Sequence, residues 1–543
     1  MQHRRFTFII FLTGAITLSL ELLASRIMTP YFGVSLFIWT GILSITLLSL
    51  AIGYFLGGWI ANHIISREDK ISRLTYYFLA MPSISSISIA LASFIYPSVF
   101  FQLAQIGLVF GSFLACLIFL LVPLVTLSAM NPLLIALRRE SMLQADKSGD
   151  GGSGVVFFIS TVGSVVGVWA TAFIFIPNIS NQTSVLLLGA GLSLVTIAGV
   201  AKLPSLGKRH LVSALVFATA GLVSNGLISL LANSSSNSNS VVANEYGTWK
   251  LVASYPSFFG DLKVLSLRPK ANTETTLKLY YQDGLIQGVT NDKGSSLEAY
   301  SYILEGLSSA MAQPGQDILI LGLAAGIVPK NLTRQGYLVD VVEINPESFK
   351  AAADHFMFDE SSVTSYQMDA RSFVKSCPKK YQVAVVDLFQ GDGIPEYLLT
   401  QNFFQDLKQC LHKEGVIVVN SFTVPRYSDT SYHLLKTINS EFERIRIFHK
   451  EFSQPDKIHS FFIVATNRPG DLTFKLRLAG GEDAPINEIR EIFKTNHTVD
   501  KDKLAKASII TDEFNTFSIL NLDTYMTYRR AALSFVPQEF LVN

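Results

Sequence analysis

The chain has 543 residues, a formal net charge of +1, 49% hydrophobic residues and only 16% charged ones. That is more apolar and less charged than an ordinary soluble protein, so a membrane part is implied. With near-zero charge and no basic run, no nucleic-acid partner is expected, and the partner is small or lipidic.

Hydropathy divides the chain near residue 235. Apolar segments recur at about 6–24, 36–62, 74–96, 103–127, 154–176, 184–200 and 211–232, each close to the ~20 residues that a helix needs to cross a bilayer. They predict a transmembrane domain of about seven helices over 1–232. The first segment follows a basic start, but further spans come at once and no small-residue cleavage site leads into a soluble domain. It therefore reads as a retained anchor helix. Arg4 and Arg5, then Arg67, Lys70 and Arg73, then Arg138, Arg139 and Lys147, then Lys202, Lys208 and Arg209 mark alternate connections. The intervening loops 97–102 and 177–183 carry no Lys or Arg, and Arg26 is the exception. This bias predicts a multi-pass protein of a bacterial inner membrane with a cytoplasmic N-terminus. Seven crossings would place everything after residue 235 outside.

The polar run NSSSNSNS opens a linker over 233–244, and no internal repeat at solenoid spacing follows. Beyond it, LKVLSL (262–267) and LKLYYQDG (277–284) predict a small antiparallel β-unit over 245–290. ILILG (318–322), LVDVVEI (338–344), VTSYQMD (363–369), QVAVVDLF (382–389) and GVIVVNSF (415–422) then read as buried strands separated by helical patterns. They predict a doubly wound parallel sheet, an α/β Rossmann-like domain over 291–470, and leave a C-terminal extension over 471–543.

Ligands bind such sheets at the carboxyl ends of the strands. Gly322 ends the first parallel strand and Gly326 opens the next helix, so backbone N–H groups between them can approach a ligand closely. Glu343, about twenty residues on, can accept both ribose hydroxyls, and Asp369 can reach an adenine amino group. Together they form a constellation for an adenosyl nucleotide, where each alone is a weak signal.

With these motifs on view, the sequence resembles the polyamine aminopropyltransferases, the spermidine synthases. YYQDGLIQG (280–288), ILILGLAAG, VVEINP, YQMDA and QVAVVDLF carry the resemblance over about 245–450, and ASIITDEFN (507–515) is similar to the closing segment of longer members. LSLELLASRIMTPYFG (18–33) resembles the multispan region of membrane-fused spermidine synthase-like proteins. Generic methyltransferases share the Rossmann half but not the DGLIQ hairpin.

The resemblance implies a nucleotide-site role for Gln287, ribose binding by Glu343 and adenine binding by Asp369 with Ala370. It gives Asp387 the part of the acid that deprotonates and orients the attacking amine. Tyr281, Asp283, Tyr302, Gln390 and Asp392 are candidates for the substrate side. The departures are specific. Ala325 stands where the family's G-G-G-D-G turn has an aspartate that pairs with the amine of decarboxylated S-adenosylmethionine. Gln390 stands where a second acid is expected, with Asp392 two residues on, and Tyr302 replaces a polyamine-side acid. An aspartate at 325 would repel the carboxylate of intact S-adenosylmethionine, and alanine removes that repulsion. The co-substrate is therefore S-adenosylmethionine or its decarboxylated form, with no metal.

Three reactions fit: transfer of an aminopropyl-type chain to an amine with release of methylthioadenosine, intramolecular cyclisation or lyase chemistry releasing the same thioether, and methyl transfer. A fourth reading makes the membrane half a transporter or scaffold and the Rossmann unit its nucleotide sensor. Spermidine synthases are commonly oligomeric, which implies a homo-oligomer here too. Glu21 and Arg26 flank the end of the first span as an interfacial pair or a functional one. No H-E-x-x-H or C-x-x-C occurs. Cys377 and Cys410 read as buried thiols, with a disulfide as the alternative if the domain lies outside. That location conflicts with the cytoplasmic origin of the sulfonium, unless a segment fails to span or the substrate passes through or along the membrane half.

Overall fold

The computed structural model describes the chain except for residues 1, 35, 68, 145–151, 201–205, 236–240, 392, 452–453, 471–477, 479–483, 495–496, 498 and 543. It divides into two compact units, residues 1–240 with 538–543 and residues 241–537. Of the linker expected at 233–244, residues 236–240 lie outside the described residues, while the residues before them end a helix at Ser235 and those after them open a strand at Val241.

The first unit is helical: α1 (Gln2–Phe32), α2 (Leu36–Ile65), α3 (Lys70–Ile106), α4 (Leu108–Gln144), α5 (Ser153–Ala170) continued by a π-turn and the short α6 (Ile176–Asn178), α7 (Asn181–Val200) and α8 (Lys208–Ser235). Among the described residues, seven helices are long and apolar enough to cross a membrane, and each overlaps one of the seven predicted segments. Such helices satisfy their own backbone, which lipid cannot do. Small residues let α1 and α5 approach closely: a Cβ on Gly163 or Gly167 would lie 2.1 Å from the carbonyl oxygen of Phe11 or Ala15. Polar side chains join α3, α7 and α8, with Ser193 Oγ donating to Ser86 Oγ at 2.8 Å and Asn225 Nδ2 to the Ser86 carbonyl at 3.0 Å. Lys70 pairs with Glu140, and Arg138 donates to Thr7, so the start of α1, the start of α3 and the end of α4 share one end of the bundle.

The second unit holds two sheets. The smaller is an antiparallel meander of β1 (Val241–Ala243), β2 (Gly247–Ser257), β3 (Gly260–Pro269), β4 (Leu277–Gln282) and β5 (Leu285–Thr290). β1 and β2 were not expected, because Tyr255-Pro256 interrupts the strand alternation of β2 and β1 is only three residues long. Asp283 and Gly284, at φ 51° and 87°, make the two-residue turn between β4 and β5, as an Asp-Gly pair between strands favours.

The larger sheet contains β6 (Asp317–Leu321), β7 (Leu338–Glu343), β8 (Thr364–Gln367), β9 (Tyr381–Val386), β10 (Leu411–Thr423), β11 (Arg444–His449) and β12 (His459–Thr466), in the order β11-β12-β10-β9-β6-β7-β8. The five predicted strands are its parallel part. β11 and β12 add an antiparallel edge that the expectation of a wholly parallel sheet missed: RIRIFH alternates charged and apolar residues, as an edge strand does.

Successive residues of the central strands point to opposite faces, which explains their unbroken apolar runs. Ile318 and Ile320 pack with Val383, Val385, Val416 and Val418 under α9 (Ala299–Met311), α10 (Ile327–Arg334) and α11 (Pro346–Phe356). Leu319 and Leu321 face the other way, with Val386 and Val419, under α12 (Ala370–Val374), α13 (Gln401–Gln409) and α14 (Ser431–Glu441). Cys377 and Cys410 form a disulfide with a Cα separation of 5.7 Å, where buried thiols had been the first expectation. β9 and β10 are parallel neighbours with Tyr381 opposite Leu411, so the segments leading into them meet at the same end of the sheet.

Candidate active site

A cavity of about 330 Å³ opens at the carboxyl ends of β6, β7, β9 and β10, beneath the β4–β5 hairpin. Gly322, at φ 98°, closes β6 against β9: a Cβ there would lie 2.1 Å from the Asp387 carbonyl oxygen, while Asp387 N donates to the Leu321 carbonyl at 2.9 Å. The turn stays left-handed at Ala324 (φ 46°) and Gly326 (φ 69°). Ala324 lines the cavity, whereas Gly326 faces the Phe358 ring. Ala325 is 2% exposed and packs beneath Gly288 and Tyr280 rather than lining the cavity.

Glu343 ends β7 at the cavity wall. Burial pushes its carboxyl upward, and the N–H groups of Asn345 (2.8 Å) and Leu323 (3.1 Å) oppose that shift. They hold the carboxylate against the glycine turn with further lone pairs unused. Asp369 caps α12 by accepting from Ser372 N at 2.8 Å, and its other oxygen accepts from the Tyr397 hydroxyl at 2.8 Å. It lines the cavity with Ala370 and Tyr397.

Two amide donors are left over. Gln287 Nε2 and Asn345 Nδ2 are buried, belong to cavity-lining residues and have no partner among the described residues. Burying such donors is costly unless a ligand accepts from them.

Asp387, after β9, accepts from Asn420 Nδ2 at 2.8 Å, and burial pushes its pKa up to about 6. Glu298 lines the same cavity. Its pKa is pushed up to about 7 by burial first; the Val289 N–H at 3.0 Å lowers it and the charge of Asp387 raises it further. Tyr300 donates to the Gln287 carbonyl at 2.8 Å and is held well above its ordinary range by burial and by the charges of Glu298 and Asp387, with Tyr528 contributing. Glu298, Tyr300, Asn420 and Tyr528 escaped sequence reading. Glu298 was the most accessible of them, as an acid just ahead of the apolar pattern of α9.

Of the expected substrate-side residues, Gln390 lines the cavity and Asp392 lies outside the described residues. Tyr281, Asp283 and Tyr302 do not line it, a correction to their expected place. Tyr302 is buried against the sheet and donates to the Ser296 carbonyl at 2.9 Å. The Asp283 carboxylate accepts from Asp261 N at 2.9 Å to brace the hairpin, and the Tyr281 hydroxyl is buried. The lining thus holds Glu298, Glu343, Asp369 and Asp387, with no Lys, Arg or His among its described residues. It suits a cationic ligand.

The site thus joins a Rossmann-like sheet, a glycine turn and an acid-lined cavity at the carboxyl ends of the strands. Residues 310–448 match the spermine/spermidine synthase domain. The polyamine aminopropyltransferase of Vibrio vulnificus is 27% identical over 231 residues, 41% of this chain and 75% of that protein. An N-terminal histidine N-methyltransferase of Emericella nidulans is 27% identical over 220 residues, 39% of this chain but only 38% of its own length. The crystal structure of spermidine synthase from Thermotoga maritima superposes with a TM-score of 0.34 at 15% identity, covering 49% of this chain and 87% of that one. Residues 310–448 thus carry a spermine/spermidine synthase domain, and the chain is similar to transferases of the aminopropyltransferase type.

Proposed function

We propose that the second unit transfers the aminopropyl-type chain of an S-adenosyl sulfonium to an amine and releases methylthioadenosine. The observation that carries this reading is the cavity with four carboxylates and no basic residue among its described lining, set at the strand ends of a spermine/spermidine synthase domain. Glu343 takes the ribose hydroxyls, Asp369 and Ala370 the adenine, and the Gln287 amide a remaining acceptor atom. Asp387 removes a proton from the attacking ammonium. The free amine then forms a C–N bond as the C–S bond breaks, and the departing thioether is neutral and needs no acid.

Methyl transfer is a second reading. Alanine at 325 admits a sulfonium that keeps its carboxylate, and one relative is named an N-methyltransferase. Mass spectrometry of the purified protein with S-adenosylmethionine or its decarboxylated form, with and without putrescine, separates the reactions. Methylthioadenosine formed only with an amine supports the first, and S-adenosylhomocysteine replaces it with the second. Methylthioadenosine from S-adenosylmethionine alone indicates cyclisation or lysis.

The helical unit, in this reading, spans the membrane and the catalytic unit faces away from the cytoplasm. Seven candidate spans and the basic alternate connections favour that side. The Cys377–Cys410 disulfide supports it, because such bonds persist in oxidising compartments.

A further inference from the structure

We infer that Glu298 is the second carboxylate of the amine site, sharing the acceptor's ammonium group with Asp387. This rests on the reading that the acceptor is an amine, which aminopropyl-type transfer requires and which the N-methyltransferase relative's name also suggests.

The placement of Glu298 argues for it. Glu298 is the residue before α9, where a short Asp, Asn, Ser or Thr would ordinarily cap the first helical N–H groups. Its side chain makes no such cap. It turns to the hairpin instead, where one oxygen accepts from Val289 N at 3.0 Å, and it lines the cavity. Asp387 reaches the same cavity from β9, with Asn420 as its hydrogen-bond partner. Neither has an ion-pair partner among the described residues, although a carboxylate accepts up to about four hydrogen bonds.

Two neighbouring acids recessed in one wall repel each other and lose solvation, and a bound cation relieves both costs. Burial is the first cause of the raised proton affinity of both, and the charge of Asp387 adds to that of Glu298. An ammonium, with three donors, fits two carboxylates and can leave its proton on the pair. The step balances: R–NH3+ and the anionic pair become R–NH2 and the protonated pair, and the amine then displaces the neutral thioether.

The alternative is that Glu298 only ties α9 to β5. Glu298→Gln separates the two roles, because its carbonyl oxygen can still accept from Val289 N while the charge is gone. The experiment is calorimetry on the full-length protein saturated with methylthioadenosine, using butylamine and 1,4-diaminobutane as probes. The wild type should bind at least one probe. Glu298→Gln should weaken that binding by about tenfold or more, as expected for losing a charge-assisted contact, and leave methylthioadenosine affinity within about twofold. Glu298→Asp should keep most of the amine affinity.

Unchanged amine affinity in Glu298→Gln overturns the inference and leaves the transfer reading standing. Parallel loss of amine and methylthioadenosine affinity also overturns it, assigning Glu298 to the nucleotide or to the fold. Failure of the wild type to bind either amine removes the amine-acceptor reading and the inference with it.

Discussion

Asn420 Nδ2 donates to a carboxylate oxygen of Asp387 across 2.8 Å, so the end of β10 orients the acid that ends β9. The two strands are parallel neighbours with Val419 opposite Val386, which places these side chains one residue further along. Replacing Asp387 by Asn should lower turnover ~100-fold or more, as for loss of a general base, with nucleotide affinity retained. Asn420→Leu should lower kcat less, roughly tenfold, since the base remains but is unaligned. Wild-type turnover in Asp387→Asn would falsify the assignment.

The acid pair also sets a pH dependence. Glu298 and Asp387 have folded-state pKa values of about 7 and about 6, both above their ordinary ones. Between about pH 4 and 7 the native protein therefore binds more protons than the unfolded chain, so their contribution is fully present at the acid end and is lost as pH rises through the folded values. Thermal melts of the ligand-free protein should show Glu298→Gln flattening that fall near neutrality, by on the order of 1 kcal/mol after allowance for solvent in the open cavity. The proposed catalysis uses the ionised pair, so kcat should rise over the same interval. A rate that declines from pH 5.5 to 7.5 counts against a carboxylate base.

The proposed choice of sulfonium can be tested at Ala325, although it packs behind the cavity wall rather than lining it. Its side chain lies beneath Gly288, where a Cβ on that glycine would come within 3.1 Å of it. Ala325→Asp would introduce a carboxylate beside the hairpin. The variant should prefer decarboxylated over intact S-adenosylmethionine by about tenfold more than the wild type, through like-charge repulsion in a partly desolvated site. Titration of both nucleotides into both proteins measures this, and an unchanged preference rejects it.

The Cys377–Cys410 bond closes a sequence separation of 33 residues. Its removal as a double serine variant should cost about 2–4 kcal/mol of stability. Alkylation of the denatured, unreduced protein should label Cys116 alone. Labelling of all three cysteines shows that the bond is absent and withdraws its support for an exported catalytic unit.

Legibility in the sequence followed the physics of each element. The membrane helices are long and uniformly apolar, and the five central strands are short apolar runs between turns, so both were visible. The edge strand β11 was missed because its exposed positions dilute the pattern, whereas β12, buried between β11 and β10, carries an apolar run that was not read as a strand. At the site, Gly322, Glu343 and Asp369 were readable from spacing, but only part of their reason was. Gly322 is required by the Asp387 carbonyl, and Asp369 also caps its helix. Glu298 and Tyr300 at the start of α9 and Tyr528 near the C-terminus reach the cavity from two segments far apart in the chain, a convergence that chain order does not display. Tyr281 and Tyr302 were misplaced by the reverse effect, because motif membership does not say which way a strand or helix residue points.

The unopposed acidity of the cavity also bears on how a catalytic cycle ends. In the proposed transfer the nucleotide brings a positive sulfur into a cavity lined by four carboxylates and leaves as the uncharged thioether methylthioadenosine. The chemistry itself therefore removes the nucleotide's main electrostatic attraction to the wall, so spent nucleotide departs more readily than fresh nucleotide does. Accumulated product should consequently inhibit weakly, without any moving lid to expel it.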